Sequence, residues 1–214
     1  MKIQKRGSHK SFFRQHQNNS MEVNHMQLGL TIPLQKHLKL KSLSYGEPAD
    51  LFFCWELHII RFQGKNALAV VNANNRFLVL MVGMKAADWK ILQKRFEEAI
   101  TSGFLSEGYT KKQINAYFDL AGEPVLTKTH GKKPVGGMNK AIDYLYYLPE
   151  PIDPAQLYQA FHCRFLNRDI CSPIGFEYYG YPVEFLEADM KRVGIIKDNE
   201  TDKNSNIIQF KAKE

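Results

Sequence analysis

Apolar and polar positions between Leu51 and Lys85 form three apolar runs separated by two short polar turns. In the first run, CWELHIIRF, apolar and polar residues alternate, which is the two-residue period of a strand with one buried face. The next runs, 67–71 and 77–82, are apolar throughout, which is typical of strands covered on both faces. The short turns between the runs predict an antiparallel three-stranded meander over residues 54–82.

The first strand of this meander has two chemically different faces. Trp55, Leu57 and Ile59 fall on one face, and Glu56 and His58 fall on the other. The apolar face is predicted to pack on the core. We expect the face with Glu56 and His58 to lie toward solvent.

Helical spacing of apolar residues and capping signals predict the remaining elements. Thr110 and Gln113 form a capping box, and Asp153 followed by Pro154 is a signal for the start of a helix. The further predicted strands are 26–32 and 123–129, and the predicted helices are 33–40, 86–100, 110–122, 138–148, 153–166 and 182–193. The predicted fold class is α+β, with a three- to five-stranded, mainly antiparallel sheet packed by several amphipathic helices.

Composition divides the chain into four parts. Residues 1–25 form a basic arm that is predicted to be disordered, because it is polar and lacks helical periodicity. Residues 26–148 form the predicted α+β domain, and residues 149–196 form a helical, aromatic-rich extension packed on it. Residues 197–214 form a polar tail.

The net charge of +7 lies at one end of the chain. Residues 1–41 hold eight Lys or Arg and one acid, so the remaining residues sum to zero. One interpretation is that residues 1–20 bind nucleic acid, because cations release counterions from phosphates. The other is a solvated tail, or an upstream start before a true beginning near Met21 or Met26.

Composition also bears on the compartment. With 44% hydrophobic residues and no apolar run near the ~20 residues of a membrane helix, the chain is predicted to be soluble, with no membrane partner. No apolar segment follows the basic start, so we expect no secretory signal. The three cysteines lack CxxC spacing, which favours free thiols in a reducing cytoplasm.

Three segments together resemble a family of small bacterial proteins of unknown function. They are WELHIIRFQGKNALAVVNANNRFLVLMVGMKAADW, RFEEAITSGFLSEGYTKKQINAYF and GEPVLTKTHGKKPVGGMNKAIDYL. They match a Trp-led first strand, a VN(D/A) strand end and a TKTxNRSVxGxMND-like segment, over about residues 26–148. The chain departs from this pattern at Gly131–Pro134, in place of an Asn-Arg-Ser run, and at Lys140, in place of an acid. The resemblance implies an α+β fold and carries no established activity.

The segment 127–137 is the best candidate site. Cations and exposed N–H groups just before a helix can hold a phosphate or carboxylate, because a helix N-terminus carries partial positive charge. The candidate anion-binding residues are Lys128, His130, Lys132, Lys133, Gly136 and Gly137. The GxxxxGK[ST] order of a Walker loop is absent, and the alternative interpretation is a solvated linker whose glycines permit a turn.

Catalytic and metal signals are weaker. Glu56 and His58 share a strand face, and folding could bring His130 near them to form an acid/base or metal-binding group. His162, Cys163 and Cys171 do not have the spacing of a structural zinc site, so we expect no metal, and no cofactor motif occurs. Cys163 is expected to lie in a buried helix, which argues against a nucleophile.

An aromatic stretch in the C-terminal extension has two interpretations. It holds Phe176, Tyr178, Tyr179, Tyr181 and Phe185. These rings could form a stacking platform or a partner-binding surface. They could instead cover the core where the extension folds back on the domain.

Two functional hypotheses follow. The first is a noncatalytic binding or regulatory module that engages an unknown protein partner, with the basic arm adding affinity for nucleic acid. The second is an enzyme acting on a phosphorylated or anionic small substrate bound at 127–137, which requires Glu56 and His130 to meet in one cleft. The sequence does not indicate an oligomeric state.

Overall fold

A computed structural model describes residues 26–197, and the basic arm 1–25 and most of the polar tail lie outside the described residues. The strands are β1 (Met26–Leu30), β2 (Cys54–Phe62), β3 (Lys65–Asn72), β4 (Leu78–Val82) and β5 (Pro124–Lys128). The helices are α1 (Ile32–His37), α2 (Ala86–Lys90), α3 (Leu92–Ser106), α4 (Lys111–Ala121), α5 (Lys132–Tyr147), α6 (Ala160–Leu166) and α7 (Pro182–Arg192), with a short 3₁₀ helix at Leu51–Phe53.

The five strands form one mixed sheet in the order β4-β3-β2-β1-β5. The predicted meander is confirmed, because β2 pairs antiparallel with β3, and β3 pairs antiparallel with β4. At the other side, β1 lies parallel to both β2 and β5. The fold class is therefore α+β with a mostly antiparallel sheet, as predicted.

Helices cover both faces of this sheet. On one face, Trp55 and Leu57 of β2 join a core with α3, α4 and α7. The Trp55 indole donates to the Tyr117 hydroxyl of α4 at 2.8 Å, so this buried aromatic core also satisfies its polar atoms. On the opposite face, the outer half of the sheet packs on α5 and α6 through a second core that includes Met138 and Cys163. Both faces of the central strand β2 are consequently buried.

The segment 157–167 closes the free edge of β4. The Val82 N–H donates to the Leu157 carbonyl, and the Gln159 N–H donates to the Leu80 carbonyl. The Asn167 side chain then takes the place of a neighbouring strand, since its Oδ1 accepts from Leu78 N at 2.7 Å and its Nδ2 donates to Leu78 O at 2.9 Å. Leaving these groups unpaired would expose an edge that invites pairing with another chain.

A buried carboxylate ties α7 to the turn between β3 and β4. Asp189 accepts hydrogen bonds from the side-chain amides of Asn74 and Asn75, each at 2.9 Å. Arg192 bridges Asp189 to Asp50 with N–O distances of 2.9 and 2.7 Å. Burial raises the pKa of the Asp189 carboxyl, while the hydrogen bonds from these amides and from Arg192 oppose that rise.

Three predicted element boundaries were wrong. Helix α5 begins at Lys132 rather than Met138, because packing of Pro134 and Gly137 outweighs the weak helix propensity of this stretch. The predicted helix 86–100 is two helices that meet at Ile91 and extend to Ser106. The predicted helix 153–166 begins only at Ala160, because the backbone before it pairs with β4.

No helix within residues 26–197 combines the length and the apolar character needed to cross a membrane.

Candidate functional site

Glu56 is a fully buried carboxylate in the middle of the sheet. The expectation that the Glu56 face lies toward solvent was wrong, because α5 and the β5–α5 turn cover that face. The Oε1 atom of Glu56 accepts from the backbone N–H of His130 at 2.7 Å and lies 3.0 Å from His130 Nδ1. The structure therefore brings Glu56 and His130 together, although 74 residues separate them in the chain.

The second nitrogen of His130 is also engaged. Its Nε2 lies 3.1 Å from Oε1 of Gln27, which stands on β1. The Gln27 amide nitrogen donates to the Glu47 carbonyl at 2.6 Å. A carbonyl can only accept, so this bond fixes which end of the amide faces His130.

The hydrogen atoms of the site follow from this geometry. Because Gln27 presents its oxygen, the Nε2 atom of His130 must carry a hydrogen and donate it. A hydrogen must also lie between Nδ1 of His130 and Oε1 of Glu56, since two lone pairs facing each other at 3.0 Å would repel. Both ring nitrogens of His130 thus face an acceptor oxygen, Glu56 Oε1 at Nδ1 and Gln27 Oε1 at Nε2.

Gly29 makes room for this pair. It lies between Glu56 and Thr127 in the register of β2, β1 and β5. A Cβ atom on Gly29 would lie 2.7 Å from Glu56 Oε2 and 2.9 Å from His130 Nδ1, so a larger residue would push both groups out of place. Among the described residues, Glu56 Oε2 and Thr127 Oγ1 are buried without a hydrogen-bond partner.

His58 takes part in a separate interaction. Its Nδ1 lies 2.8 Å from Oγ1 of Thr31, and burial lowers the pKa of its imidazole. Of the three catalytic candidates, Glu56 and His130 therefore contact each other. His58 lies apart from them and contacts the Thr31 hydroxyl instead.

A cleft of about 420 Å³ opens beside His130. Its wall includes Gln27, residues 45–49, Leu51, Cys54 and residues 128–131. The Lys128 ammonium lies over the Tyr45 ring, 4.7 Å from its centroid. Burial raises the pKa of the Cys54 thiol to about 12, which leaves it protonated and poorly nucleophilic at neutral pH.

The residues predicted to bind an anion do not form one pocket. Lys128 and His130 line the cleft just described. Lys132 and Lys133 are exposed on the first turn of α5, and Gly136 faces open space. Gly137 lies instead against the side chain of Arg76, and both residues line a different cleft.

Two residues that the sequence reasoning missed stand out in these clefts. In the sequence Gln27 is an ordinary strand residue. Its role is seen only in the structure, where it contacts His130, a residue far away in the chain. Arg76 follows the Asn-rich turn, and no sequence signal pairs it with Gly137 of α5.

The cysteine and histidine candidates of the extension are packed into the fold. Cys163 is buried on α6, where its sulfur accepts from the Leu80 N–H, and burial raises the pKa of its thiol to about 12. His162 Nε2 lies 3.2 Å from the Glu150 carbonyl oxygen. Within the described part of the chain, no three His, Cys, Asp or Glu side chains gather as a metal site would require.

The aromatic stretch divides between the two interpretations. Phe185 is buried, and Phe176 packs on it with ring centroids 4.4 Å apart. Tyr178, Tyr179 and Tyr181 are exposed by 58%, 75% and 41%. Part of the stretch therefore covers the core, and three tyrosines remain on the surface.

A family model matches residues 27–185, and the chain belongs to that family, which is described as a domain of unknown function (DUF6933). The match includes the whole sheet from Gln27 onward, with Glu56, His130 and α6. It extends past Leu148, where the expected resemblance ended. No curated protein and no solved structure matches the chain.

Replacing Glu56 tests its structural role. Glu56→Ala removes the acceptor of the His130 N–H and leaves a buried gap, so we expect the free energy of unfolding to fall by about 2–4 kcal/mol. Glu97→Ala, an exposed position on α3, is the control and should leave the free energy of unfolding nearly unchanged. Urea unfolding followed by circular dichroism measures both. Equal stability of the two variants would contradict this role of Glu56.

Proposed function

We propose that the protein is a noncatalytic binding module that holds an acidic, amphipathic segment of a partner protein on the outer face of α6. The basic arm, residues 1–20, adds affinity for nucleic acid. The observation that carries the proposal is a pair of exposed rings, Phe161 and Phe165, which lie one helical turn apart and are 52% and 51% exposed.

These rings belong to a groove with arginines beside them. The groove has a volume of about 320 Å³ and is lined by Phe161, Arg164, Phe165, Arg168 and Asp169. Aromatic residues and arginine are enriched in the residues that dominate protein interfaces. A partner helix with apolar residues at matching spacing would bury both rings, and each Å² of apolar surface removed from water contributes about 25 cal/mol.

The charges beside the groove favour an acidic partner. Arg168 is held against Glu107, the residue that follows α3, with N–O distances of 3.0 and 2.5 Å. Arg164 donates to the Ser106 carbonyl at 3.2 Å and makes no ion pair with an acid of residues 26–197. Arg164 therefore offers a cation to a carboxylate of the partner.

The chemistry of the buried groups supports a noncatalytic role. An Nε2 atom that donates its hydrogen to Gln27 cannot take a proton from a substrate. The thiols of Cys54 and Cys163 have pKa values raised to about 12 by burial, so neither is an activated nucleophile.

A second candidate function is favoured by one observation, the contact between Glu56 and His130 beside Lys128. In an enzyme acting on an anionic substrate, Lys128 would bind the anion, and His130 would move a proton once Gln27 released its Nε2 atom. Turnover of such a substrate that persisted undiminished in His130→Gln would exclude this role.

Peptide display on the full-length protein tests the α6 proposal. We expect enriched peptides to combine acidic residues with apolar residues spaced three or four apart, and to lose at least about tenfold in affinity toward Phe161→Ser/Phe165→Ser. Tyr147→Ala is the control, since Tyr147 is 84% exposed on α5 and lies outside the groove. Peptides that are basic, or that bind the double variant as tightly as the native protein, would contradict the proposal.

Removal of residues 1–22 tests the arm. It takes away five Lys or Arg, so the salt dependence of binding to a single-stranded DNA 20-mer should weaken by up to roughly 3.5 in logarithmic slope. Fluorescence anisotropy across a salt series measures this slope. A chain shortened by residues 198–214 serves as the control and should keep its binding. Equal DNA affinity with and without the arm would remove the arm from the proposed function.

A further inference from the structure

Arg76 adopts a backbone conformation that a residue with a side chain rarely takes. It lies in the turn between β3 and β4 with φ +64°, in the left-handed region. Such residues cost free energy and persist where the surrounding structure requires them. At Arg76 the conformation is held by the backbone bond from its N–H to the Asn72 carbonyl, at 3.1 Å.

The side chain of Arg76 crosses to α5 and lies on Gly137. A Cβ atom on Gly137 would lie 2.4 Å from Nε and 2.9 Å from Cζ of Arg76. The guanidinium therefore fits against α5 only because residue 137 has no side chain. Arg76 also lies close to Cys171, where it opposes the rise in the thiol pKa that burial causes. The β3–β4 turn, helix α5 and the loop that holds Cys171 thus fix the position of the Arg76 guanidinium.

The cation has no acidic partner in the described part of the chain. None of the ion pairs within residues 26–197 includes Arg76 or Lys140. Asp169 lines the same cleft but forms no ion pair with either cation. A half-buried arginine without a counter-charge is costly, and a bound anion would relieve that cost.

The cleft around Arg76 contains further donors. Lys140 follows Gly137 by one turn of α5, and hydroxyl groups come from Tyr144, Ser172 and Tyr179. Ile170 and the rings of both tyrosines supply apolar surface. The volume of about 260 Å³ lies just below the range of about 300–1,000 Å³ that is usual for small-molecule sites, so it suits a compact ligand.

We propose that this cleft, which Arg76 lines, binds the phosphate group of a small molecule. The guanidinium fork matches two phosphate oxygens, and Lys140 and the hydroxyl groups can donate to the remaining oxygen. A carboxylate has two oxygens and would leave part of this donor set unused. A ring attached to the phosphate would pack on Tyr144, Ile170 and Tyr179.

The proposal is independent of partner binding on α6. Of the residues lining the two clefts, only Asp169 is shared, and neither aromatic anchor of α6 lines the Arg76 cleft. It also differs from the predicted anion site at the N-terminus of α5, because the cations that converge here are Arg76 and Lys140.

Isothermal titration calorimetry of the full-length protein tests the proposal with three probes: phenyl phosphate, inorganic phosphate and benzoate. We expect phenyl phosphate to bind and Arg76→Gln to weaken it by at least about tenfold, the loss expected when a charge-assisted hydrogen bond is removed. Arg61→Gln is the matched control, since Arg61 is an exposed arginine of β2 outside this cleft, and it should bind as the native protein does.

A second variant separates binding from folding. Gly137→Ala keeps Arg76 but displaces its guanidinium, so it should also weaken phenyl phosphate while α5 remains helical by circular dichroism. Inorganic phosphate binding as tightly as phenyl phosphate would assign the cleft to the free anion, and weaker binding would assign it to a phosphate ester. No phosphate binding by the native protein, benzoate binding as tight as that of phenyl phosphate, or unchanged binding in both cleft variants would overturn the proposal.

Discussion

The fold depends on how the buried carboxylate of Glu56 is satisfied. A charge or an acid in the centre of a sheet covered on both faces is costly unless it is hydrogen-bonded. The partner comes from the β5–α5 turn, where the backbone and the ring of His130 both meet Glu56 Oε1. This contact fixes the turn over β2 and sets where α5 starts across the sheet. Gly29 is required beneath it, because no side chain fits there.

The same constraint shapes the functional account. A histidine beside a carboxylate resembles an acid/base pair, but the Gln27 oxygen directs a hydrogen onto the outward nitrogen of His130. In the proposed function the pair acts as a structural link, and the surfaces proposed for recognition are the α6 groove and the Arg76 cleft. Both hold an arginine without an acidic partner among residues 26–197.

Local patterns in the sequence were enough to predict the meander and the capped helix α4. Alternation in β2 correctly placed Trp55 and Glu56 on opposite faces, since side chains of a strand alternate. The pattern could not show that α5 would cover the Glu56 face, because that depends on a contact across 74 residues. The start of α6 was missed for a related reason: residues 157–159 pair with the edge of β4, and this tertiary contact overrides the local signal at Asp153 and Pro154.

The candidate site was predictable only in part. A glycine- and lysine-rich segment before a helix drew attention to 127–137, and His130 within it does contact Glu56. The role of Gly137 could not be predicted from the sequence. The side chain that packs on it belongs to Arg76, which lies in a turn 61 residues earlier. Gln27 was missed because a single glutamine in an apolar strand has no distinctive pattern.

The most direct test of the account is the protonation of the His130 ring. Long-range ¹H–¹⁵N correlation spectra of the protein labelled with ¹⁵N-histidine report each ring nitrogen separately, and His130→Gln assigns the signals. We expect Nε2 of His130 to carry a hydrogen at neutral pH, because Gln27 Oε1 accepts it. An unprotonated Nε2 at neutral pH would contradict the account, since that nitrogen would then be free to act as a base.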